Sequence, residues 1–226
     1  MNGIIDSNQK IVANGLILNL DAAQRRSYPT TGTTWTDLSG SGYNGTLVNG
    51  PTFNSANGGS IVFDGVDDRV SFTGNPALSG SWSVGLFFNL SRLTGVQILF
   101  GRSAGAPNYE YNYLLYTDAD KVLAIQSADG YTRVTSLSIF TNTWYFAVGT
   151  FESATKALKL YVNGALVDTK ILTVSSTPVT GPQTLNIGNA DAPFQGNIAQ
   201  ASLYNIALSA TQVSQNYNAV KSRFGL

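Results

Sequence analysis

TWYFAVGTFESATKALKLYVNGALV, residues 143–167, decides the fold. Trp144, Phe146 and Val148 recur at every second position and so share one face of an extended chain. In the following run Leu158, Leu160 and Val162 alternate with Lys159 and Tyr161. Asn163-Gly164 then separates LYV from ALV, and both residues tolerate the positive φ of a type I′ turn. The pattern predicts strands, the last two closed as a two-residue hairpin.

Outward from this stretch the same period continues. GLILNLD, TLVNGPTF, SIVFDG, RVSF, WSVGLFFNL, VQILFG, YNYLLYT, KVLAIQS, TLNIG and GNIAQASLYN read as strands between Gly, Asn and Asp turns. Asp129-Gly130 marks a second hairpin. About a dozen strands with no helix between them imply a closed barrel or a two-sheet sandwich. The period changes only at LSATQVSQNYNAVKSRF, where Ser209 and Gln212 form a capping box and Leu208 and Val213 a hydrophobic staple. Val213, Tyr217, Val220 and Phe224 then line one face of a helix, predicted over 209–224. Lys221 and Arg223 fall in its last turn, where cations offset the helix dipole. Residues 15–226 read as one domain and residues 1–14 as an arm or an added edge strand.

Composition removes several classes of function. Lys plus Arg and Asp plus Glu number 13 each, so the formal net charge is zero and a nucleic-acid partner is not expected. The chain has no Cys and no His, which excludes thiolate chemistry, the usual zinc sites and a Ser–His–Asp triad. Only Glu110 and Glu152 represent glutamate. The first twenty residues do not form a signal peptide, because Asp6 and Lys10 interrupt the apolar region. No run approaches the roughly 20 apolar residues of a membrane span, so no membrane partner is expected.

SIVFDGVDDRVSF, residues 60–72, brings Asp64, Asp67 and Asp68 within five positions. Its spacing is not that of an EF-hand loop, and calcium takes about 6–8 oxygens, so further donors are needed, with Asp21 a candidate. Glycoside hydrolysis needs two carboxyls flanking one bond at roughly 5–9.5 Å, a geometry that neighbours on a turn do not ensure. The reading that outweighs metal binding and catalysis is a polar turn. Asp64-Gly65 bends the chain, Asp67 and Asp68 are solvated, and Arg69 pairs locally.

Three segments, GLILNLDA, TTWTDLSGSGYNGTLVNGPTF and GGSIVFDGVDDRVSF, together resemble the opening of laminin-G-like jelly-roll domains of the concanavalin A-like lectin/glucanase superfamily. The element from Asp37 to Gly45 and the F-D-G-x-D-D run from Phe63 to Asp68 carry the likeness. NTWYFAVGTFESATKALKLYVNGALV and GNIAQASLYNIALSATQVSQNYNAVKSRF are similar to that family's Trp-centred hairpin and its closing strand and helix. The resemblance implies an all-β, two-sheet antiparallel jelly roll with one C-terminal amphipathic helix. The QNYN…RF ending resembles copies in structural proteins of tailed bacteriophages. It implies a virion protein, made in the host cytoplasm, whose partners are other virion proteins or copies of itself.

Two departures from the family stand out. Relatives often hold a structural calcium with the aspartate of an Ile-Asp-Glu segment, which here reads Ile198-Ala199-Gln200. The glucanase motif Glu-x-Asp-x-x-Glu is absent, so no catalytic residues and no required cofactor are expected. If a glycan is bound, PNYEYNYLLYTD offers Tyr109, Tyr111 and Tyr113 for stacking and Asn112 for hydroxyls. Trp35 and Tyr43, flanking TDLSGSG, are a second aromatic pair. For both sets, plain packing competes with binding.

Overall fold

Val162 pairs with Ala165 across Asn163 (φ 50°) and Gly164 (φ 81°), the positive-φ pair that a type I′ turn requires. Gly164 is needed twice over, since a Cβ there would lie 2.9 Å from Tyr217 Cδ1. The computed structural model describes residues 10–72, 74, 76, 78, 80–103, 111–125, 133–172, 184–188 and 192–226. Asp129-Gly130 lies outside them.

In chain order the strands are β1 (Leu16–Asp21), β2 (Thr34–Trp35), β3 (Gly45–Val48), β4 (Thr52–Asn54), β5 (Ser60–Asp64), β6 (Arg69–Phe72), β7 (Trp82–Leu90) and β8 (Val96–Ser103). They continue with β9 (Tyr111–Asp118), β10 (Lys121–Ile125), β11 (Arg133–Thr135), β12 (Trp144–Glu152), β13 (Ala157–Val162), β14 (Ala165–Ile171), β15 (Thr184–Ile187) and β16 (Gln195–Tyr204). Helix α1 (Ala210–Val220) and a 3-10 turn, Lys221–Phe224, close the chain.

Two antiparallel sheets result. One runs β14-β13-β12-β7-β16-β5-β4, with β1 pairing the second half of β16; the other runs β11-β10-β9-β8-β15-β6-β3-β2. Between them lies the main core, which includes Leu18, Trp35, Phe63, Trp82, Phe88, Phe100, Leu160 and Leu203. Because side chains alternate along a strand, the neighbours of these residues face the other way. Phe87, Phe146, Val148, Tyr161 and Tyr204 form a second cluster with Val213 and Val220 of α1. The first sheet is therefore buried on both faces at its centre. Burial of Val213 and Val220 stabilises the helix by about 1.5–3 kcal/mol each. Trp82 belongs to the main core, whereas Trp144 is half-buried outside it and packs on Phe224 at 4.3 Å.

Ser209 caps α1 as expected, its Oγ accepting from Gln212 N while Gln212 Oε1 accepts from Ser209 N. The helix is shorter than predicted, since its last turn tightens to 3-10 geometry at Lys221. TLVNGPTF also differs from its expected single strand. Asn49 (φ 71°) and Gly50 (φ 116°) break it into β3 and β4, which lie in different sheets. SIVFDG and RVSF likewise become β5 in one sheet and β6 in the other. Two sheet-to-sheet crossovers thus sit side by side, linked by Asn49 Nδ2 donating to Asp67. Residues 10–14 form no strand. Val12 is buried there, donating N–H to Asn216 Oδ1 and accepting from Tyr204 OH. Among the described residues no helix is long and apolar enough to cross a membrane.

Candidate functional site

The crossover from β5 to β6 carries the three aspartates. Gly65, at φ 81°, makes the bend, and Asp64 Oδ1 accepts from Val66 N at 2.8 Å. Asp68 Oδ2 accepts from Asp64 N at 2.9 Å, and Asp67 Oδ2 from Asn49 Nδ2 at 2.9 Å. One oxygen from each side chain lies within 4.8 Å of the others. The polar-turn reading holds for Asp64-Gly65 but fails at its other end. Asp68 is not solvated: it is 3% exposed, and its Oδ1 is buried with no hydrogen-bond partner. Arg69 makes no ion pair with this cluster among the described residues. Burial, above all, raises the Asp68 carboxyl from its ordinary value, and the charges of Asp64 and Asp67 add to it against the Asp64 N–H bond.

Asp21 does not join them. Its carboxylate is 2.8 Å from Arg223 Nη1 and also accepts from Ala23 N and Gln24 Nε2. The same guanidinium donates to the carbonyls of Asn57 and Gly59. Arg223 therefore ties the chain end to the end of β1, which a dipole argument along the helix does not reveal. Beside it, Ala199 occupies a bulge of β16 with its side chain wholly buried. The calcium that the family resemblance implies does not fit here: one carboxylate is missing, and the other is already neutralised by a guanidinium.

Between β1, β16 and the chain end lies a cavity of about 370 Å³. Asn19, Gln24 and Gln200 contribute amides, Asp21 and Arg223 a compensated charge pair, Lys10 an exposed cation, and Leu16 and Val220 apolar surface. Gln200 Nε2 donates to Asn19 Oδ1 at 3.3 Å, which orients both amides. The sequence reading did not single out Asn19, Gln24 or Gln200. Their only signal was position, two residues before Asp21, three after it, and next to Ala199.

The aromatic candidates divide. Trp35 is fully buried in the main core and presents no face to a ligand. Tyr43 is half-buried against that core and lines a hollow of about 280 Å³ with Ile17, Leu78 and Asn205. The loop between them is built around Asp37. Its carboxylate accepts from Asn19 N, Ser39 N, Ser39 Oγ, Gly42 N and Tyr43 N. Tyr109 lies outside the described residues; Tyr111, Asn112 and Tyr113 lie on β9, their side chains outside the description. Glu110 is likewise outside. Glu152 accepts from Ser81 Oγ and Ala154 N and so fastens a loop.

The family model of the concanavalin A-like lectin/glucanases superfamily matches residues 64–214. The chain belongs to this superfamily. No curated protein sequence matches it. The binding domain of botulinum neurotoxin DC, solved in complex with SialylT, superposes with TM-score 0.72 at 14% identity, covering 92% of this chain and 52% of that one. The same domain in complex with rat synaptotagmin II gives 0.72 at 13% identity over the same shares. Trypanosoma rangeli sialidase gives 0.66 at 16% identity, covering 92% of this chain and 33% of that one. The superfamily member described here thus spans about half or a third of these neighbours, and at such identities the likeness concerns the fold.

Proposed function

We propose that this superfamily member is a non-catalytic adhesion module that holds a carbohydrate in the amide-lined cavity, and that it serves as a structural protein of a tailed-phage particle. The cavity supports the first part most directly. At about 370 Å³ it falls in the lower range of small-molecule sites, large enough for a sugar ring. Amides are matched to hydroxyls, since each offers both donors and an acceptor. The Asp21–Arg223 pair brings polarity without net charge, and Lys10 adds one exposed cation, a lining that suits a polar, neutral or acidic sugar. The toxin domain of the same fold, solved in complexes with SialylT and with synaptotagmin, supports a shell that carries ligands of different kinds.

A glycan array, followed by titration calorimetry on its best ligand, tests this reading. Gln200→Ala weakens binding at least about tenfold, because one amide pair is lost from a ligand contact, and lowers the unfolding temperature by only a few degrees through the lost bond to buried Asn19. An array with no bound glycan, with or without calcium, overturns it. Tyr109, Tyr111 and Tyr113 are proposed for stacking at a separate surface, because β9 lies in the other sheet from β1 and β16, and alanine at these positions tests them in a separate titration. The virion role draws on the phage-like C-terminal stretch and the zero net charge, with docking to virion partners or to further copies. Mass spectrometry of purified particles tests it, and virions that lack the polypeptide exclude it.

A further inference from the structure

We propose that the β5–β6 crossover is a calcium site whose carboxylate ligands are Asp64, Asp67 and Asp68. Each of the three carboxylates has one oxygen fixed by an N–H donor: Asp64 Oδ1 by Val66, Asp67 Oδ2 by Asn49 and Asp68 Oδ2 by Asp64. Among the described residues no donor reaches the other three oxygens. Such an arrangement orients a ligand set from behind and leaves one oxygen of each carboxylate without a donor, as outer-shell hydrogen bonds do around metal ligands.

A second observation points to a ligand independently of the clustering. Asp68 is 97% buried by its 3% exposure, and its Oδ1 is enclosed without any partner. Buried charges in proteins are paired or coordinate a metal, and no cation of the described chain approaches this one. The chemistry selects the ion. With no His and no Cys in the chain, every donor is a hard oxygen, which suits calcium or magnesium and not zinc or copper. The oxygens lie within 4.8 Å of one another. Calcium accepts several carboxylates in a flexible shell, whereas magnesium keeps several of its waters and takes one or two carboxylates, so three carboxylates favour calcium. Backbone carbonyls and water complete the shell. Because Asn49 of the neighbouring crossover holds Asp67, a calcium here fastens both sheet-to-sheet connections at once.

The experiment uses the full chain, stripped with chelator and titrated with calcium chloride by calorimetry, with thermal unfolding in parallel. Wild type binds one calcium, and saturating calcium raises its Tm by about 5 °C, with magnesium at equal concentration less effective. Asp68→Asn abolishes both responses, and its metal-free Tm is no lower than that of wild type, because the amide removes an unpaired buried charge. If that variant does not fold, Asp67→Asn serves instead, with affinity reduced about tenfold or more and the fold intact. Absence of a calcium response in wild type overturns the proposal. So does an Asp68→Asn protein that responds like wild type, or one that is simply less stable without metal while wild type ignores calcium.

Discussion

Asp21 and Asp68 stand at opposite settlements of the same physical problem. Both are buried carboxylates at strand ends, 6% and 3% exposed. Asp21 receives a guanidinium from Arg223, 202 positions away, together with a backbone N–H and a side-chain amide. Asp68 receives one backbone N–H and two carboxylate neighbours. Asp37, at 8% exposure, is a third case, satisfied by five donors and no cation. The difference teaches where to look for function. Where the chain settles the charge of a buried carboxylate, as at Asp21, the adjoining cavity needs no metal ion and suits a polar ligand. Where it does not, as at Asp68, the site is left for an ion.

Removing the partner of Asp21 breaks the comparison most sharply. Arg223→Met leaves a carboxylate buried without its cation, and stability falls by about 3 kcal/mol, or roughly 10 °C in Tm, read by thermal denaturation. Alkaline denaturation extends the comparison to a buried acid kept neutral. Burial pushes the Tyr204 phenol up to about 12, with bonds from Asn216 and Ser202 acting against it. The folded chain thus keeps this proton where the unfolded chain, titrating near 10, has lost it. The resulting stability is whole below pH 10 and disappears as pH rises toward 12, about 2–3 kcal/mol in all. Tyr204→Phe removes this part of the pH dependence, measured by chemical denaturation at pH 8 and pH 11. Tyr28 and Tyr161, also raised by burial, retain theirs.

Asp37→Ala sharpens the case of a carboxylate held by N–H groups alone. It costs about 2 kcal/mol, since some of the freed donors rehydrate, and it loosens the 37–45 loop to proteolysis. The smallest effect is indirect. Ser209→Ala removes the cap of the helix whose end presents Arg223, lowering stability by about 1 kcal/mol, seen as a small shift in denaturant midpoint.

What could be read from the chain alone follows the range of each interaction. The 143–167 hairpin and the Ser209–Gln212 cap are local, fixed by side chains two or three positions apart, and both were legible. Continuous strands were legible but their sheet membership was not. In TLVNGPTF only the positive φ of Asn49 and Gly50 sends the two halves to different sheets. Trp35 looked like a loop aromatic because its burial depends on the opposite sheet. The Asp21–Arg223 pair and the Asn19–Gln200 contact join residues more than 180 positions apart. No local pattern marks them, and they build the cavity. The acidic turn was visible as composition, but the enclosure of Asp68 was not.

The account as a whole rests on a cavity whose buried carboxylate, Asp21, is neutralised within the chain. Calorimetric titration of the array's best glycan, run once in calcium and once in chelator, tests this most directly. The predicted result is one binding site of equal affinity in both buffers, weakened by Gln200→Ala. Binding that vanishes in chelator, or that ignores the loss of Gln200, contradicts it.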